Sequence, residues 1–289
     1  MHIVSDRGLD MIESHARKLG IILAPLLITI GGKTYHGGED ITPEEFYKIM
    51  EESGEFPVTA QPSIGSIAEI YRELAKTDPD ILSIHISSGL SGTSNAARLA
   101  AQQVPEANIT IIDTLSLSGE MGWQVEAAAR CLKAGWPLEK ILEKVEQVRA
   151  DAEAIYTVAT LRYLIHGGRV SHMKGLLASI LNIRPVIGVD KTTGKYEQLG
   201  QARTQKGALQ KLVDVVADKH APGSELRAQI FHVNNPEGVA QLKQFMEARF
   251  TCHWEETGPL SPALGAHAGP GMVTLTYGAY SVYADLPEA

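Results

Sequence analysis

Apolar and polar positions along the first 150 residues follow two rhythms. Ile64, Ile67, Ala68, Tyr71, Leu74 and Ala75 recur at i, i+3 and i+4, which is one face of a helix. Leu138, Ile141, Leu142, Val145 and Val148 do the same. Compact apolar runs at 81–86 and 109–112 lie between such stretches and predict buried strands. A short strand is expected at 2–5 and a helix over 9–19. Residues 21–30 form one apolar run with Pro25 inside it, then a Gly31-Gly32 turn and a return over 34–37. Helices are expected over 94–103 and 123–132. Thr42, followed by Pro43, Glu44 and Glu45, reads as a helix start, and Ser63 as an N-cap. Alternation of this kind predicts a mostly parallel sheet with helices on both sides.

The pattern changes near residue 152. A strand is expected over 155–158 and a short helix over 161–165, stopped by Gly167-Gly168. Runs at 183–189 and 196–201 flank Thr193-Gly194, a hairpin signal. Helices over the Leu209–Val216 region and 236–249 follow, with strands at 226–233, 251–255 and 272–276. The expectation is α/β overall: an N-terminal domain over 1–152 and a C-terminal α+β domain over 153–289.

Composition narrows the function. The chain has 289 residues, 44% hydrophobic and 21% charged, which fits a folded protein and excludes general disorder. Lys and Arg number 26 against 34 acids, for a net charge of -8. Nucleic acid is therefore not the expected partner, since phosphate binding needs a basic field. No apolar run reaches the roughly 18–20 residues of a membrane span, and residues 1–10 carry no secretion pattern. Cys131 and Cys252 stand far apart, so no cysteine metal site or disulfide framework is expected, and the expected location is the cytoplasm.

Four polar clusters carry candidate chemistry. Thr59-Ala60-Gln61-Pro62-Ser63 reads either as a capped loop or as part of a site. Ser87-Ser88-Gly89-Leu90-Ser91-Gly92-Thr93-Ser94 follows a predicted strand and opens a helix. Its glycines permit sharp turns and its hydroxyls supply donors, a seat for a carboxylate or phosphate. A glycine-rich strand-to-helix turn with no ligand reads equally well. The cluster lacks the lysine of a nucleotide P-loop. Asp113-Thr114-Leu115-Ser116-Leu117-Ser118-Gly119 follows the next strand, so both loops should emerge at the ligand-binding end of a parallel sheet. Gly265-Ala266-His267-Ala268-Gly269-Pro270-Gly271 flanks one histidine with small residues, as a loop able to approach other backbone closely.

These motifs, in this order, resemble the DegV family of bacterial fatty-acid-binding proteins. The resemblance also rests on Ile3-Val4-Ser5-Asp6, on Leu161 through Val170 with Gly167-Gly168-Arg169, on Leu181-Asn182-Ile183-Arg184-Pro185, and on Arg203 with Lys206. It implies two α/β domains enclosing a long-chain fatty acid whose carboxylate is held by Thr59, Ser91 and His267. Ser88, Gly92 and Asp113 join them as candidate ligand-binding residues. The resemblance further implies that the carrier is not itself an enzyme. It presents the carboxylate to a separate ATP-dependent fatty acid kinase, and the acyl phosphate feeds phospholipid synthesis. No other cofactor and no metal are expected, and a monomer is expected. Arg7 replaces the usual hydroxyl after Ser5-Asp6, and Ala60 stands where serine is common.

Arg162, His166, Arg169, His172, Lys174 and Arg184 lie in a stretch without Asp or Glu. It is either a solvated face or a docking surface for an acidic kinase, with Arg169, Lys174, Arg184 and Arg203 as the candidates. Segments 21–30 and 176–187 are candidate tunnel walls. Two other functions stay open. Ser91 or Ser88 with His267 and Asp113 could form a hydrolase triad, although no Gly-x-Ser-x-Gly elbow surrounds them. The same loop would also suit a small-anion-binding module.

Overall fold

A computed structural model of the chain describes residues 1–170, 173 and 183–288. Its first sheet has the order β2-β1-β6-β7, with β1 at His2–Asp6, β2 at Ile21–Ala24, β6 at Asp80–His85 and β7 at Asn108–Asp113. All three pairings are parallel. Helices α3 (Ile64–Ala75) and α4 (Thr93–Ala101) cover one face. Ile67, Ala68 and Tyr71 of α3 pack with Val4, Ile81 and Ala96, as the helical spacing requires. The Ser63 hydroxyl accepts the Ser66 N–H at 3.0 Å. Thr42 and Glu45 form a reciprocal capping box at α2 (Pro43–Ser53), so both caps read from sequence are present.

The apolar run at 21–30 divides. Pro25 has no N–H for a continuing ladder. The chain leaves β2 there and enters β3 (Leu27–Ile30), which pairs antiparallel with β4 (Lys33–His36) and β5 (Val58–Ala60). The helix expected over 9–19 is also shorter. Arg7–Leu9 form a 3-10 turn, Asp10 adopts a left-handed conformation (φ 46°, ψ 39°), and α1 spans only Glu13–Leu19.

The third sheet runs β10-β9-β8-β14-β11-β12, with β13 (Gly258–Pro259) also pairing β11. Its strands are β8 (Glu153–Thr157), β9 (Arg184–Val189), β10 (Tyr196–Ala202), β11 (Glu225–His232), β12 (Thr251–Trp254) and β14 (Val273–Ala279). Helices Gln205–Ala217 and Pro236–Glu247 bury Leu209, Leu212, Val213, Leu242 and Met246 against it.

Helix α5 (Ser118–Lys133) touches strands of both large sheets and packs along α6 (Leu138–Asp151). It begins five residues before the expected start at Trp123, and Ser118 through Ala129 are all buried. Glu120, Gln124 and Glu126 lie inside this span and disguise a buried helix as a polar one. Partners explain the burial of the two glutamates. Burial alone would raise the Glu126 carboxyl, but His15, the buried Arg227 and Arg130 together hold it down to about 2. The Glu120 carboxylate accepts the Ala154 N–H at 2.9 Å.

Candidate functional site

The hydroxyl-rich loop after β6 divides its work. The Ser87 hydroxyl donates to the Gly194 carbonyl at 2.7 Å. A Cβ on Gly89 would lie 2.5 Å from the Thr193 carbonyl oxygen. The first half of the loop therefore seats the β9–β10 hairpin tip, where Gly194 takes φ 63°. This is the hairpin expected at Thr193-Gly194. Ser88 is exposed, and its N–H donates to Asp113 Oδ1 at 3.1 Å. Asp113 Oδ1 also accepts the Leu115 N–H. Asp113 thus ties two loops together and, like Ser88, does not line the cavity described next.

The second half of the loop faces a cavity of about 50 Å3 lined by Thr59, Gln61, Ser91, Arg169, Tyr196 and His267, with Leu26, Ile86, Leu90, Leu117 and Leu264 as its apolar part. Thr59 Oγ1 lies 2.8 Å from His267 Nε2. Ser91 Oγ lies 2.8 Å from Thr93 Oγ1 at the start of α4. Gly92 is exposed and does not line the cavity, but a Cβ there would strike the Gln61 amide. Its lack of a side chain brings Gln61 to the rim. A smaller space of about 20 Å3 adjoins at His267, walled by Tyr156, Leu164, Leu260, Leu264 and Met272.

His267 does not sit on a loop, as its small neighbours suggested. It occupies the last turn of a helix, Pro262–Ala268. The small residues do serve close approach: Gly265 presses on Tyr47, whose hydroxyl donates to the Leu260 carbonyl at 2.7 Å. Gly269 (φ 73°) lies against Tyr163. Burial, then the nearby charges of Arg169 and His166, push the His267 imidazole down to about 4. It is neutral at pH 7, so one ring nitrogen carries a proton and the other accepts.

Arg169, a docking candidate by sequence, is half-buried on the cavity wall and donates to the Gly167 and Leu90 carbonyls. Arg184 and Arg203 lie at the opposite end of the β9–β10 hairpin from its tip, since Arg184 pairs with Ala202. Arg203 is exposed and Arg184 is half-buried. Lys174, and the wall candidates 176–182, fall outside the described residues. Phe56 stacks on His166 at 4.7 Å between ring centres, and Arg162 lies 5.3 Å from the centre of the Phe56 ring. Sequence reasoning passed over Gln61 and Gly167 as site residues. Both stood inside quoted motifs, but no periodicity distinguishes a glycine that backs a histidine.

The imagined triad is not assembled. His267 meets Thr59, Ser91 meets Thr93, and Asp113 meets backbone and Arg98. An Asp–His–Ser relay exists elsewhere: His85 Nδ1 is 2.9 Å from Asp6 and Nε2 is 2.7 Å from Ser83, which reaches Tyr71. Asp6, His85 and Ser83 are fully buried, so this relay ties β1 to β6 inside the sheet. Among the described residues no group of three or more His, Cys, Asp or Glu is placed to hold a metal ion. No described helix is long and apolar enough to cross a membrane.

Two hydroxyls and a neutral imidazole thus stand at the junction of apolar walls, in an α/β fold. The chain belongs to the DegV family, whose model, described as "Uncharacterised protein, DegV family", matches residues 1–279. A DegV domain-containing protein of Staphylococcus aureus (strain N315) is 34% identical over 273 residues, 94% of this chain and 96% of that one. A structure described as fatty acid binding of a DegV family protein from Thermus thermophilus superposes with TM-score 0.87 at 31% identity, covering 96% of this chain and 99% of that one. A DegV lipid-binding protein from Thermotoga maritima gives 0.86 at 29% identity, covering 96% and 98%.

Proposed function

We propose that this protein holds a long-chain fatty acid with its carboxylate at Thr59, Ser91 and His267. The observation that carries the reading is the contact between Thr59 and His267, at 2.8 Å, on a cavity that Ser91 also lines. The fatty acid binding described for the Thermus relative supports it. A carboxylate buried without donors is costly. The Thr59 and Ser91 hydroxyls and the His267 N–H offset that cost, and Arg169 supplies a positive field.

Magnitudes divide the labour. Each buried methylene contributes about 0.8 kcal/mol, so roughly fourteen give ~11 kcal/mol before ordering costs. A hydrogen bond to a charged group nets roughly 1.5–3 kcal/mol. The tail supplies affinity, and the head group supplies orientation and selects an acid over an apolar lipid. The head-group cavity of about 50 Å3 has room for little more than the carboxylate, so the chain enters the apolar interior as its walls part.

The carrier role extends this reading. The protein presents the carboxylate to a separate ATP-dependent fatty acid kinase, which forms the acyl phosphate used in phospholipid synthesis. The exposed Arg162 and His166, which flank the half-buried Phe56, support a basic, aromatic docking face. Lipid extraction and mass spectrometry of the purified protein test the binding step. A stoichiometric long-chain fatty acid is expected, and a polar ligand would sink the reading. In a kinase assay, His267→Ala should lower phosphoryl transfer to the bound acid. Unchanged binding and unchanged transfer would remove His267 from the site.

A further inference from the structure

The β8–β9 ladder is shorter than the strands that make it. It pairs only Tyr156 with Ile187 and Thr157 with Val186, although β8 begins at Glu153 and β9 runs on to Val189. Continued in register, Ile155 would face Gly188 and Ala154 would face Val189. These residues instead line a cavity of about 170 Å3 where the ladder has stopped. The Ala154 N–H goes to Glu120 Oε2 at 2.9 Å. A side chain of α5 thus meets the β8 backbone at the gap.

Glu120 lines this cavity and is 2% exposed. Its other oxygen, Oε1, accepts no hydrogen bond among the described residues and is not one of the atoms sealed from solvent. The Ser116 hydroxyl lies near it but turns to the Leu117 carbonyl. The cations on the cavity are engaged elsewhere. Lys191 donates to the Arg149, Ala150 and Ala152 carbonyls at 2.6–3.0 Å, which uses all three ammonium hydrogens. Lys219 pairs with Glu153. Asp190 accepts from Thr192 and Thr193 within its own turn. Glu197, exposed on the same cavity, has no ion pair among the described residues. Burial, then the charge of Asp190, raises its carboxyl. Glu120 and Glu197 are therefore left without a cation, and a carboxylate oxygen buried without a donor is costly. Ile155, Val189, Leu199 and Val215 make the rest of the wall apolar. A primary ammonium on a short apolar stem matches both halves, since it brings a charge and three donors.

We propose that the gap between β8 and β9 is a second binding site that takes the primary ammonium of a short alkylamine, with its N–H groups on Glu120 Oε1, Glu197 balancing its charge at the rim, and its stem on Ile155, Val189, Leu199 and Val215. The volume lies below the roughly 300 Å3 of drug-sized sites, which limits the ligand to a short stem. The inference stands without the head-group reading, since the two cavities share no lining residue.

Saturation-transfer NMR titrations of the full-length protein test it with propylammonium, tetramethylammonium and propionate as probes. Propylammonium should bind with a Kd on the order of 1 mM. Tetramethylammonium, a cation without N–H donors, and propionate should each bind at least about tenfold more weakly. Glu120→Gln keeps an acceptor for the Ala154 N–H and removes the charge. It should weaken propylammonium by about tenfold or more and leave hexadecanoate affinity unchanged. Glu197→Gln, at an exposed position, should weaken it by no more than about threefold. Burial raises the Glu120 carboxyl to about 7, with Lys191 and Glu153 as the nearby charges and the Tyr277 and Tyr283 hydroxyls also near it. Propylammonium affinity should therefore rise about tenfold from pH 6 to pH 8 as Glu120 ionises, and the rise should vanish in Glu120→Gln. No binding of propylammonium, equal binding of tetramethylammonium, or unchanged affinity in Glu120→Gln overturns the site. Should that variant not fold, the wild-type probe ranking and pH profile decide. Absent hexadecanoate binding in the wild type overturns the head-group reading alone.

Discussion

Gly167→Ala displaces the His267 imidazole without removing it. Gly167 has φ -66° and ψ -14°, so alanine meets no backbone strain there. Its effect is steric: the new Cβ would lie 2.8 Å from His267 Cε1 and closer still to Nδ1. Ordinary contacts lie at about 3.5–4.0 Å, so the ring must retreat by about 1 Å. The 2.8 Å contact with Thr59 would then exceed hydrogen-bond range. Loss of the imidazole's bond to a bound carboxylate costs roughly 1.5–3 kcal/mol, or ~10- to 150-fold in Kd. Tail burial is untouched. Displacement of a fluorescent fatty acid should show hexadecanoate weakened at least about tenfold, and hexadecanol by less than about twofold. The melting temperature should change little, because the entropic gain of Gly to Ala, about 0.4–1 kcal/mol, offsets local strain. An unchanged ratio of acid to alcohol affinity in the folded variant would refute the placement of His267 against the carboxylate.

Three further outcomes follow from particular contacts. Gly89→Ala sets a methyl 2.5 Å from the Thr193 carbonyl oxygen and 2.6 Å from that of Gly194; chemical denaturation should show a loss of about 1–3 kcal/mol, and wild-type stability would mean the hairpin does not rest on this loop. Ser83→Ala strands His85 and Tyr71 in the buried relay, so stability should fall by about 1–3 kcal/mol with fatty acid affinity unchanged, whereas lost binding at full stability would assign the relay to function. Burial pushes the Glu120 carboxyl up from 4.5 to about 7, so the folded state binds its proton more tightly than the unfolded one. That group's destabilising contribution is absent below about pH 4.5 and complete above about pH 7. Glu120→Gln should therefore gain on wild type across this window, on the order of 2 kcal/mol, and parallel urea stability curves at pH 5 and 8.5 would count against the buried carboxyl.

Much of the fold was legible in the sequence because periodicity reports which side of an element meets solvent. The α3 face and its Ser63 cap are local facts. So are the Thr42 capping box and the Thr193-Gly194 hairpin, set by a few residues and their backbone preferences. The misjudged elements have two causes. Asp10 breaks a plausible helix because the turn before it closes on the Asp6 side chain, which accepts the Gly8 N–H at 2.9 Å. The first turns of α5 look polar because Glu120 and Glu126 find partners, Ala154 and Arg227, far along the chain.

The site divides in the same way. The sequence determined that hydroxyls, a glycine-rich strand-to-helix loop and a histidine among small residues are present, and the motif order pointed to a family. Only the tertiary structure decided which of them meet. Thr59, Ser91, Arg169 and His267 come from four separate elements and share one cavity, while Ser88 and Asp113, beside them in the motifs, were turned to bracing the loops. The reason is desolvation. A polar side chain acquires a role from the partners left to it once water is removed, and the packing of the parallel and the mixed sheet about α5 chooses those partners.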